Sequence, residues 1–169
     1  PVGTQRMNDC TAWAVGYAAK TYLEARDQGW RPDRPERIFS PNFLYNQINR
    51  GRDEGSNFIQ AIRVMVEQGA ATLASFPYVR DHRVQPDERQ RAEAAAFPVF
   101  DGRLLRSRLA IRRALQRREI VVFGAHVGPI FMSGRFNTYD ADTFVRDVSI
   151  RTADQAHGKH AMVIAGYDD

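Results

Sequence analysis

In the first half of the chain, apolar residues recur at intervals of three and four; in the second half they fall into short continuous or alternating runs. Residues 8–28 read as one long helix. Asp9 is a good N-cap, and the Ala-rich segment CTAWAVGYAAKTYLEAR beyond it contains no Pro. Trp13, Gly16 and Ala19 or Lys20 share a face, and Gly16 is placed for a close packing contact. The helix ends near Asp27-Gln28-Gly29, and residues 30–39, with Pro32 and Pro35, form a loop. Ser40-Pro41 starts a second helix, with Ser as cap and Pro at the first helical position, and it stops at Gly51. Ser56 is the expected cap of a third helix, which carries Ile59, Ile62, Met65 and Val66 on one face and has Gly69 as its stop. Residues 70–85 are irregular around Phe76-Pro77-Tyr78. A short Ala-rich helix follows Pro86 and ends before Pro98.

Beyond Pro98 the pattern changes. Residues 103–118 read as an amphipathic helix with Leu105, Leu109, Arg112 and Leu115 near one stripe. The run Ile120-Val121-Val122-Phe123-Gly124-Ala125 reads as a buried strand. Phe144 to Ile150 reads as a half-buried strand, and His160 to Tyr167 as a third. Helices early and strands late indicate an α+β fold rather than alternating βαβ units.

The chain has 169 residues, the size of one domain or of two small lobes sharing a cleft. Its 43% hydrophobic and 26% charged residues argue against disorder. No apolar run reaches the roughly 18–20 residues that span a bilayer, so no membrane partner is expected. The net charge of +4 comes mostly from arginine. The densest basic stretch, 103–118, has no interleaved aromatics, so it reads as a solvated helix face and no nucleic-acid partner is expected. The chain opens at Pro1 without a signal-peptide pattern. The expectation is a processed or trimmed form, which leaves the compartment unassigned. With a single cysteine there is no intramolecular disulfide.

That cysteine, Cys10, falls at the start of the first helix. Unpaired N–H groups and the helix dipole there favour a thiolate, so Cys10 is a candidate nucleophile; the other reading is a small buried hydrophobe. Gln5, in a Gly-containing approach segment, is suited to donate to an oxyanion beside the Cys10 N–H, and equally to an ordinary surface loop. His160 begins an apolar strand after a polar loop, which suits a general base and also a structural histidine. His157 lacks the rigid strand behind it, so His160 is preferred. His82 and His126 have no partner pattern, and no His/Cys/Asp cluster has zinc spacing, so neither metal nor cofactor is expected. Trp13 and Tyr17 read as core, and Asp168 and Asp169 as turn residues.

Several segments together resemble one family. TQRMNDCTAWAVGYAAK is similar to the nucleophile segment of papain-like (C1-type) cysteine peptidases, especially bacterial ones. SPNFLYNQIN resembles their second-helix segment. Gly55-Ser56 sits where they have a Gly-rich substrate-binding turn, Phe76-Pro77-Tyr78 resembles their Tyr-Pro-Tyr, and HAMVIAGYDD resembles their His segment. The matches come in family order, and the separation of Cys10 from His160 falls within the roughly 130–150 residues expected of such a pair.

The resemblance implies a papain-like fold: a helical lobe over 1–98 carrying the nucleophile, a β-rich lobe over 99–169 carrying the His, and the active site in the cleft between them. It implies peptide-bond hydrolysis by Cys10 and His160, with Gln5 as oxyanion donor, Gly55 and Ser56 binding substrate backbone, and Ala161 lining a specificity pocket. The partner is a peptide or protein substrate. The chain departs from the pattern in several ways, among them Thr11 after the Cys, where papain itself has Trp. Arg6 follows Gln5 where the family has Gly, Gln5 stands one position closer to the Cys, and the partner Cys of an early disulfide is absent. The family's Asn segment lies beyond the His strand and is not in this chain. The expectation is a truncated β lobe, weak activity or none, and self-association or a second chain to complete the sheet. The alternative is a non-catalytic papain-like module for binding or assembly. A bacteriocin-processing peptidase or a transglutaminase-like acyltransferase is disfavoured by the Ser-Pro and Pro-Tyr segments.

Overall fold

The computed structural model describes residues 3–99, 101–134, 138, 140–149 and 158–168. The fold is α+β: helices packed against a small antiparallel sheet. Three successive helical segments, Cys10–Ala12, Trp13–Lys20 and Thr21–Gln28, run on as one helix, α1. Its middle segment has the wider winding of a π-helix, a geometry that recurs near functional sites. It ends where Gly29 turns left-handed, at φ 67°.

The second helix, α2 (Pro41–Ile48), starts as its residues predict. The Ser40 hydroxyl accepts the Phe43 N–H at 3.3 Å, and Pro41 occupies the first turn. Phe43, Leu44 and Tyr45 of α2 are fully buried and form the centre of the core with Ala12, Val15, Phe39 and Met65. Gly16 allows α1 to approach this helix: a Cβ there would lie 2.8 Å from Leu44 Cδ1.

The third helix, α3 (Phe58–Gln68), is capped by Asn57, whose side chain accepts the Gln60 N–H at 2.9 Å, rather than by Ser56. Its buried positions are Ala61, Val64 and Met65, whereas Ile59 and Val66 are exposed. The apolar stripe is therefore rotated from the expected one. Gly69 ends α3 in a conformation with φ 79°. The short helix α4 (Glu88–Ala94) opens with a capping box between Asp87 and Gln90. The basic stretch is helical only over α5 (Arg108–Gln116), capped by Ser107. Its buried residue is Ala114, and Leu109 is exposed, contrary to the expected stripe.

Strands β1 (Val121–Val127) and β2 (Gly158–Ile164) pair antiparallel, with Val121 opposite Ile164 and Ala125 opposite His160. Both coincide with expected strands, each shifted by a residue or more at its ends. Helix α6 (Pro129–Ser133) follows β1.

The expected strand from Phe144 to Ile150 is instead a helix, α7 (Ala141–Ser149), with Ile150 outside the described residues. Asp140 starts it, accepting the Thr143 N–H on Oδ1 at 2.8 Å and the Phe144 N–H on its carbonyl at 2.9 Å. On α7 the buried Asp147 carboxylate accepts three backbone N–H groups around the start of α6: Gly128 at 3.1 Å, Ile130 at 2.7 Å and Phe131 at 3.0 Å. Those donors would otherwise be orphaned at a helix start.

Candidate active site

A groove of about 1060 Å³ brings together three stretches distant in sequence: residues around 5–11, the turn around 54–58, and the facing parts of β1 and β2. Cys10, Gln5, Gly55, Ser56, His160 and Ala161 all line it.

Cys10 is the first residue of α1 and is half-buried, with a free thiol. The first turn closes through the Trp13 N–H to the Asp9 carbonyl at 3.0 Å. Cys10 thus sits at the N-terminal end of the helix, where backbone N–H groups converge. Asp9 stands at the N-cap position, but its side chain makes no capping hydrogen bond, contrary to the sequence reading. The carboxylate turns inward and accepts the Trp13 indole N–H at 3.1 Å. Trp13 itself is half-buried, packed on Tyr17 and edge-on to Tyr78, with ring centroids 4.5 and 5.0 Å away.

His160 stands in β2 opposite Ala125, half-buried, with its ring tilted against Phe131 at 6.0 Å between centroids. Burial pushes its imidazole below the usual range, favouring the neutral form that accepts a proton. The competing His157 lies outside the described residues. Gln5 is at the groove, and its Nε2 donates to the Met7 carbonyl at 2.8 Å.

Gly55 adopts φ 92°, a left-handed conformation that favours glycine, and its Cα region faces the Asn8 carbonyl. The Ser56 carbonyl accepts the Thr11 hydroxyl at 3.2 Å, while Ser56 Oγ is buried without a hydrogen-bond partner among the described residues. The turn bearing Gly55 and Ser56 therefore rests directly on the residues flanking Cys10.

Glu54, Asn57, Phe58, His126, Met132 and Lys159 also line the groove and were not singled out as site residues from the sequence. No local pattern marks them, because only the tertiary fold brings them to Cys10. His126, which has no partner pattern in the sequence, faces the same space because β1 runs antiparallel to the His160 strand. Among the described residues no group of three or more His, Cys, Asp or Glu side chains could hold a metal ion, and no helix is long and apolar enough to cross a membrane.

No protein-family model matches the chain, and no curated protein matches it. Among solved structures, the fold is similar to the crystal structure of xylellain, a cysteine protease from Xylella fastidiosa, at 20% identity and a TM-score of 0.70. The alignment covers 97% of this chain and 65% of that one, so the chain spans slightly less than two thirds of its neighbour's length. The chain shares the fold of a large part of that structure.

Proposed function

We propose that this chain is a papain-like cysteine peptidase acting in the groove between its helical part, residues 1–98, and the part that carries the sheet, residues 99–169, which holds more helix than the β-rich lobe expected from the sequence. The observation that carries the reading is that the lone cysteine, at a helix start, and a half-buried histidine on a strand line one groove. The chain's fold is also shared with a cysteine protease.

In the proposed reaction His160 takes the Cys10 thiol proton and the sulfur attacks the peptide carbonyl carbon. The resulting oxyanion is held by the Cys10 N–H and the Gln5 amide, with each donor typically worth about 3–4 kcal/mol. Collapse breaks the C–N bond, and His160 delivers its proton to the leaving amine. Water, deprotonated by His160, then hydrolyses the thioester. Gly55 and Ser56 hold the backbone of an extended substrate, and Ala161 lines the pocket for one of its side chains.

A second reading, a papain-like module that binds without cleaving, is favoured by one observation: Gln5 Nε2 donates to the Met7 carbonyl. Treatment with a peptidyl epoxide, followed by peptide mapping, separates the two. The peptidase reading predicts a covalent adduct on Cys10 and release of product from a fluorogenic peptide panel. Peptide binding without adduct or product supports the binding module.

A further inference from the structure

The nucleophile segment and the Gly55-Ser56 turn are joined by hydrogen bonds that converge on one side chain. The Asn8 backbone N–H donates to Asp53 Oδ1 at 2.7 Å, and Asn8 Nδ2 donates to the Asp53 carbonyl at 2.7 Å. The same Oδ1 accepts the Tyr45 hydroxyl at 2.6 Å. The Gly55 N–H in turn approaches the Tyr45 hydroxyl at 3.4 Å. One carboxylate oxygen therefore ties the loop before Cys10 to the buried helix α2 and, through its own backbone, to the substrate-side turn.

Tyr45 is fully buried, so its hydroxyl cannot exchange Asp53 for bulk water. Burial and then the bond to Asp53 push its ionisation well above the usual tyrosine range. A carboxyl oxygen shared by two donors at 2.6 and 2.7 Å holds both in place. Covalent cross-linking of the two segments is ruled out, because Cys10 is the only cysteine. A carboxylate serving only its own turn would draw its donors from that turn. Here they come from residues 45 and 8 positions away in sequence.

We infer that Asp53 is a positioning residue for the proposed peptidase reaction, fixing the nucleophile segment against the turn that holds the substrate backbone. The inference rests on the reading of Cys10 as nucleophile and Gly55-Ser56 as substrate contacts. Small misplacements between a nucleophile and a bound carbonyl reduce turnover steeply, because reaction requires a narrow range of approach geometries.

The test compares wild type, Cys10→Ala, Asp53→Ala, Asp53→Asn and Asn8→Ala at a temperature where each is folded. It reads kcat and KM on a fluorogenic peptide, and hydrogen exchange at the Asn8 amide. Asp53→Ala is expected to lower kcat/KM by roughly 10- to 100-fold, through both a lower kcat and a higher KM. Asp53→Asn keeps Oδ1 as acceptor for Asn8 and Tyr45 and should restore most of the loss, which a general loss of stability would not do. If Asp53→Ala does not fold, Asn8→Ala carries the test. It deletes only the Nδ2 bond and should lower kcat/KM several-fold. Activity within about twofold of wild type in a folded Asp53→Ala or in Asn8→Ala overturns the inference, as does an Asp53→Asn no better than Ala. If wild type and Cys10→Ala are equally inactive, the peptidase reading fails. Faster exchange of the Asn8 amide in Asp53→Ala would then still uphold the tie itself, and unchanged exchange would overturn it.

Discussion

The Asp9 carboxylate accepts the Trp13 indole N–H at 3.1 Å, although Asp9 occupies the position from which a carboxylate ordinarily caps a helix. Its other oxygen, Oδ1, is buried with no hydrogen-bond partner among the described residues. The residue immediately before Cys10 is thus an acid held in the core by one good bond. Burial pushes its carboxyl up to about 6; the Tyr78 hydroxyl and the Trp13 indole oppose that rise, and the Asp53 charge adds to it.

This arrangement has a pH signature. The folded value lies above the ordinary aspartate value of 3.8, so the folded state binds the proton more tightly than the unfolded one. The associated stability is fully present below pH 3.8 and is lost as the pH rises to about 6. At about 1.4 kcal/mol per unit, the loss is of the order of 2–3 kcal/mol. Asp9→Asn should remove this slope: its unfolding midpoint should rise relative to wild type as pH goes from 4 to 7. Urea melts of the two proteins across that range check it, and parallel pH profiles would contradict it.

Gly16→Ala should destabilise the protein despite the better helix propensity of alanine. A solvent-facing site would gain roughly 1 kcal/mol from that change. Here the new Cβ would lie 2.8 Å from Leu44 Cδ1, and Leu44 is fully buried, so its side chain must shift within the core. Overpacking of this kind costs about 1–3 kcal/mol. A lower thermal midpoint is expected, and a higher one would show that α1 and α2 separate easily.

Removing the Asp147 carboxylate should weaken the β1–α6 connection. Asp147→Ala leaves three buried or part-buried N–H groups, at Gly128, Ile130 and Phe131, without their acceptor. Unsatisfied donors of this kind make a loss of about 2–4 kcal/mol the expected result. Asp147→Asn retains one acceptor oxygen and should lose about half as much. Because Phe131 packs against His160, the alanine variant should also move the imidazole resonances in an NMR spectrum. Unchanged stability in Asp147→Ala would mean that other groups cap α6.

Where the candidate residues fall in the fold was largely legible, because each sits in a local signal. Cys10 opens a Pro-free, Ala-rich segment and starts the helix, although Asp9 before it does not cap; His160 stands in an apolar run and lies on the strand, which begins two residues earlier at Gly158. Gly16 and Gly69 were likewise readable, since each stands where only a missing side chain fits. The segment 144–150 was not, because its short run of mixed residues suits a strand or a helix. What decides is Asp140 on one side and the reach of Asp147 to α6 on the other, neither of which a periodicity records. Ser56 is the cap that the sequence suggests for the third helix, and it is not the cap observed. Asn57 caps it instead, accepting the Gln60 N–H, while the Ser56 carbonyl accepts the Thr11 hydroxyl. His126, Lys159 and Glu54 reach the groove through strand pairing and loop packing alone.

The most direct test of the central claim is peptide turnover by wild type, Cys10→Ala and His160→Ala, with any acyl adduct mapped by mass spectrometry. Loss of the nucleophile or its base in such pairs typically costs 10³-fold or more, on the order of that seen in other catalytic triads. The account predicts hydrolysis by wild type, a loss of that order in each variant, and an acyl group on Cys10. Full turnover by Cys10→Ala, or by His160→Ala, would contradict it.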